Sequence, residues 1–139
     1  MKIPARAMAF SSFLLLAWSL SSAPPLLAQA DPFYRGKTIR IVVGLPAGDL
    51  YDLWARLIGT HMAKQIPGNP DIIVQNMPGA ASMITANHVY TVGKPDGLTL
   101  GMVIPSIYFD QLLGRKEVQF DYGKFTWIGS PVKGDQQTY

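Results

Sequence analysis

The chain has 139 residues, of which 48% are hydrophobic and 15% charged, with a formal net charge of +3. That balance suits one small globular domain and excludes a disordered chain. Cysteine is absent, which removes disulfides and thiolate chemistry and leaves an ordinary apolar core to hold the fold.

Residues 1–30 read as a cleavable signal peptide. Lys2 and Arg6 form a basic start, residues 7–20 (AMAFSSFLLLAWSL) an apolar centre, and Ala28-Gln29-Ala30 an A-x-A cleavage site after Pro24-Pro25. The competing reading is an uncleaved anchor, but the apolar run falls short of the ~20 residues a spanning helix needs. Cleavage after Ala30 would leave residues 31–139 as the mature chain. Without Lys2 and Arg6 the charge falls to about +1, so no basic face is expected and no nucleic-acid partner.

Strand and helix signals then alternate. Residues 38–45 (TIRIVVGL) look like a strand buried on both faces. Leu50, Leu53, Trp54, Leu57, Ile58, Met62 and Ile66 recur at helical spacing and predict an inward apolar stripe, with Asp52 and Arg56 paired on the other side. Pro67-Gly68-Asn69-Pro70 ends that helix. A short strand is predicted over 72–74 and a helix over 80–90, with Met83, Ile84 and Ala86 inward. After the Lys94-Pro95-Asp96-Gly97 turn come a strand over 98–104, a helix from Pro105 or Ser106 to Leu113, and a fourth strand over 125–129 (FTWIG). The order β-α-β-α-β-α-β, with short connections, implies an α/β fold: a mostly parallel sheet flanked by helices on both faces.

In such sheets ligands bind beyond the carboxyl ends of the strands, here the loops 45–51, 76–82 and 104–108. Each leads into a helix N-terminus, whose unpaired N–H groups suit an anion. In PGAAS (Pro78, Gly79, Ala80, Ala81, Ser82), Gly79 permits close backbone approach, the alanines add no bulk and Ser82 carries a donor. A tight turn before a closely packed helix explains the same residues. In the first loop Asp49 suits an N-cap and Asp52 the third helical position, an acidic capping box that would repel a second anion. Tyr51 and Tyr108 offer hydroxyls at the same rim.

Catalytic signals are thin. His61 and His88 have no carboxylate at metal-ligand spacing, and Glu117 is the lone glutamate. There is no G-x-S-x-G elbow and no G-x-G-x-x-G fingerprint. Gly36-Lys37-Thr38 precedes its strand, so it is not a phosphate loop. No catalytic residue, metal or cofactor is expected.

From about Tyr34 to Pro131 the chain resembles the Bug family, the TctC-like periplasmic solute-binding receptors of tripartite tricarboxylate transporters. The specific pieces are PAG with Asp52, Ala55 and Arg56 following, then VQNMPGAAS and KPDGLTLG. The resemblance implies the first lobe, partial, of a type II periplasmic-binding-protein-like fold with two lobes around a ligand cleft. It implies a periplasmic monomer that is not an enzyme, captures a small carboxylate or related metabolite, and hands it to a membrane permease. By position it nominates Gly48, Asp49, Leu50, Tyr51, Pro78, Gly79, Ala80, Ala81, Ser82 and, more weakly, Ser106 as ligand contacts. Two departures stand out: Asp49-Leu50 where the family carries glycine, and a chain much shorter than the family's, which reads as truncated. The alternative is a small exported α/β module that binds a partner protein and captures no ligand.

Overall fold

The computed structural model describes residues 32–131; the expected signal peptide and its cleavage site lie outside them. Three parallel strands, β1 (Thr38–Val43), β2 (Asp71–Asn76) and β3 (Thr99–Met102), form a sheet in the order β2-β1-β3. Helix α1 (Leu50–Met62) connects β1 to β2 and passes into a 3₁₀ turn, Ala63–Gln65. Helix α2 (Met83–Thr91) connects β2 to β3, and the short α3 (Ile107–Leu112) follows β3.

Strand register explains the layering. Ile41 stands between Val74 and Leu100, and Val43 between Asn76 and Met102. A period of two puts these residues, with Ile39 and Ile72, on one face, where Ile41 and Val43 pack with Ala55 of α1. Val42 and Gly101 point the other way, and a side chain added at Gly101 would meet Val89 of α2 at 3.2 Å. The sheet therefore carries helices on both faces, an α/β arrangement consistent with a periplasmic-binding-like lobe. A second cluster, Met83, Ala86, Ile107 and Phe120, joins α2 and α3 to the segment after them. Asn87 reinforces it, donating to the Glu117 carbonyl and accepting from the Gln119 N–H, both at 2.8 Å.

The first helix is rotated from its apolar pattern: Met62 packs on the Ile41–Val43–Ala55 cluster and Trp54 and Ile58 are half-buried, but the leucines face outward. Leu50, Leu53 and Leu57 are 60%, 56% and 50% exposed, whereas Asp52, Ala55 and Gly59 are buried. Closeness decides this. The sheet face beneath is already filled by β-branched side chains, and a Cβ at Gly59 would lie 3.1 Å from Ile72. Only the small-residue line of the helix can approach so near, so the leucines turn outward.

Three other expectations are corrected. Ile84 is exposed, while Met83, Thr85 and Ala86 are buried. The second helix starts at Met83 and not at Ala80, because Ala80, Ala81 and Ser82 take left-handed backbone angles. Residues 125–129 form no strand. Phe125 and Trp127 instead pack among rings: Phe125 against Tyr90 and Phe120, Trp127 against Tyr122. The Trp127 Nε1–H donates to the Tyr122 carbonyl at 3.3 Å, and aromatic packing takes the place of a ladder.

Candidate functional site

The carboxyl ends of all three strands open on the same side, and the loops leaving them are stitched together. At the first loop Asp49 is the N-cap of α1, its Oδ1 accepting the Tyr51 N–H at 3.1 Å. Asp52, expected to close a capping box on the opposite side from the core, is itself 2% exposed. It reaches one residue past the cap: its Oδ2 accepts the Gly48 N–H at 2.8 Å.

Asp52 is also gripped from two more directions. Arg56 donates through Nε to Oδ2 at 3.0 Å and lies with Nη2 2.9 Å from Oδ1, a two-pronged pair. The Asn76 Nδ2, at the end of β2, donates to Oδ1 at 3.0 Å and to the Leu45 carbonyl at 3.0 Å, while Asn76 Oδ1 accepts Arg56 Nη2 at 3.1 Å. The Arg56 guanidinium, then the Gly48 N–H and the Asn76 amide, hold the Asp52 carboxyl down at about 2, overcoming the opposing effect of burial. The same pairing makes Arg56 hold its proton more firmly. No buried side-chain nitrogen or oxygen among the described residues lacks a partner.

The second loop is built on strained backbone. Ala80, Ala81 and Ser82 have φ of 45°, 50° and 69°, each costing roughly 1–2 kcal/mol in an L-residue. Buried side chains hold the turn in place. The Ser82 hydroxyl is fully buried, donates to the Gly44 carbonyl at 3.2 Å and accepts the Ile104 N–H at 3.4 Å. One side chain thereby ties the exits of β1 and β3 to the loop after β2. Gly44 must be glycine for this contact, since a Cβ there would run into the Ser82 side chain and sit 2.9 Å from its Cα. Thr85, also fully buried, donates to the Met77 carbonyl at 2.7 Å and pins the start of the loop.

The nominated residues fall into two groups on this rim. Gly48, Leu50, Pro78, Ala80, Ala81 and Ser106 are exposed, with Asp49 and Gly79 partly so. Ser82 and Tyr51 are turned inward, the first as the staple just described, the second packing partly against the Ile41–Val43–Ala55 cluster. Ser106 precedes α3 without a side-chain cap bond. Sequence reasoning missed the structural parts played by Gly44, Asn76 and Thr85; the small residue at the end of β1 and the asparagine just before Met77-Pro78 were the available signals. Two grooves of about 540 and 510 Å³ lie away from the rim. One runs along the outer side of β3 by Tyr90 and Phe125, the other between α1 and β2 by Thr60 and Asp71. Among the described residues the three-loop rim is a wall outside both grooves. Among the described residues no group of three or more His, Cys, Asp or Glu could hold a metal, and no helix is long and apolar enough to cross a membrane.

No family profile matches the chain. It is 39% identical over 122 residues to a UPF0065 protein of Bordetella bronchiseptica, a match taking in 84% of this chain and 36% of that protein. This likeness supports the Bug family. UPF0065 is the Bug family, one of binding proteins rather than of enzymes. The chain spans about a third of the length of this relative, and the matched portion takes in most of the fold described above.

Proposed function

We propose that the chain is one lobe of an extracytoplasmic solute-binding receptor that captures a small carboxylate or related metabolite for a tripartite tricarboxylate transporter. The observation that carries this is the rim. Three loops meet at the carboxyl ends of a parallel sheet, where ligands of such folds bind, and are cross-tied by Ser82 and Asn76. Backbone N–H groups around Gly79, Ala80 and Ala81 and at the N-terminus of α1 are the anion-facing groups, with Gly48, Asp49, Leu50, Tyr51, Pro78 and Ser106 as neighbours. Ser82 serves as the post that holds them. A second lobe, supplied by further polypeptide, would close over the ligand, and a membrane permease would receive it. The receptor works as a monomer.

Export and capture are tested together by producing the chain with residues 1–30 in a Gram-negative host. The expected product is periplasmic, begins at Asp31, and unfolds at higher temperature in the presence of one class of short carboxylates, because a ligand that binds only the native state stabilises it. A cytoplasmic product, or a melting temperature indifferent to every acid tried, counts against the reading.

The outward leucines of α1 favour a second reading, an exported module that docks a partner protein through Leu50, Leu53 and Leu57. That reading predicts carboxylate-independent behaviour and loss of partner capture on Leu53→Glu.

A further inference from the structure

We infer that Asp52, Arg56 and Asn76 form a lock that makes the first and second loops of the rim a single rigid piece, with Asp52 as its positioning residue. This rests on the proposed site only for its use; the lock itself is a property of the free chain.

The topology makes such a device necessary. The first loop leaves β1 after Val43 and reaches α1 through Gly44 to Asp49, with positive φ at Gly48. Within residues 44–49 the one backbone–backbone hydrogen bond runs from the Asp49 N–H to the Pro46 carbonyl at 3.2 Å. Its shape is therefore imposed from outside. Asp52 seizes the Gly48 N–H from the helix side, and Asn76 seizes the Leu45 carbonyl from the strand side. Those two side chains are bonded to each other, and both to Arg56.

Asn76 is also the residue at which β2 ends and the second loop begins. Its neighbour Met77 donates its N–H to the Val43 carbonyl at 2.8 Å and accepts Thr85 through its own carbonyl. A change in the pose of Asn76 is thus passed in both directions, to Leu45 in one loop and to the PGAAS turn in the other. Burial strengthens the coupling: Asp52 is inside the helix–sheet interface and cannot exchange its donors for water. The carboxylate geometry is specific too. Two oxygens accept from four N–H groups, and the amide of an asparagine at this position could not, because its nitrogen donates.

The experiment is amide hydrogen exchange and chemical-shift mapping on the isotope-labelled chain, without ligand. In Asp52→Asn the Gly48 amide should exchange faster by on the order of tenfold, the effect of losing one charge-assisted bond. Shift changes should spread across 76–82 while Ile41 and Val42 keep their protection. Arg56→Lys, on a half-exposed side chain, keeps the charge and loses the fork; it should give the same pattern at smaller amplitude. Asp52→Glu should not rescue it, because the longer chain overreaches Gly48. Perturbation confined to 48–56, or a uniform loss of protection through the strands, would overturn the lock and leave the receptor reading standing. If Asp52→Asn does not fold, the same two outcomes are read from Arg56→Lys.

Discussion

Asp49 and Asp52 stand three residues apart and do opposite work. Asp52 is consumed by Arg56, Gly48 and Asn76, so its charge never faces the rim. Among the described residues Asp49 takes just the Tyr51 N–H on one oxygen, and its carboxylate stands at the mouth of the proposed site. Replacing Asp49 by glycine in a receptor completed with its second lobe should strengthen carboxylate binding, by removing a like charge and freeing an N–H; calorimetry on the two proteins checks this, and unchanged or weaker affinity for every acid tried would end the idea. Asp52 should show itself through acid. Because its folded pKa is depressed to about 2, its contribution is present above the ordinary carboxylate range and is lost as pH falls from about 4 towards about 2. The Asp52→Asn protein should lack that part of the acid-unfolding curve; an identical pH profile in both proteins would mean the carboxylate is not held as described.

Among the elements, α1 and the turn before α2 are where pattern and structure part. The three strands of the sheet were legible because apolar runs between turn signals admit few other readings, and the turn at Lys94-Pro95-Asp96-Gly97 was equally plain; FTWIG gave the same signal but its rings pack on Tyr90, Phe120 and Tyr122 instead of pairing. Helix α1 was placed correctly and its leucine edge was faced wrongly, while Met62 packs inward as expected. Its leucines make the larger apolar stripe, yet helix–sheet distance, set by Gly59 against Ile72, selects the smaller one, and no single-helix pattern contains that distance. Gly59→Val should therefore destabilise the chain by about 1–3 kcal/mol through overpacking, whereas Leu53→Gln should change stability by less than about 0.5 kcal/mol; denaturant midpoints distinguish these, and the reverse order would restore the leucine face to the core. The PGAAS turn was legible as a loop but not as three consecutive left-handed residues, since alanine does not signal positive φ. Ala81→Gly should raise stability by about 1 kcal/mol by relieving that angle, and Gly44→Ala should lower it by forcing Ser82 aside. A loss of stability in Ala81→Gly would mean the turn is not strained.

At the scale of the whole molecule, the described residues gather three loops into one wall. Among the described residues, leucines turn outward on α1 and a groove runs along the outer side of β3. The strand order β2-β1-β3 puts β1 at the centre, which is why its exit at Gly44 can be tied to both neighbours by one serine. The likeness to a relative of which the chain spans about a third fits a wall that needs an opposing surface before binding is tight. A lone wall should still mark its ligand. Titration of the isotope-labelled chain with a panel of short mono- and dicarboxylates, followed by amide shifts, reads this residue by residue. Shifts gathered on Gly48 to Tyr51 and Pro78 to Ala81, saturable and weakened by salt, are expected; shifts gathered in the grooves beside β3 or α1, or none with any acid, would show that the rim is not the binding wall.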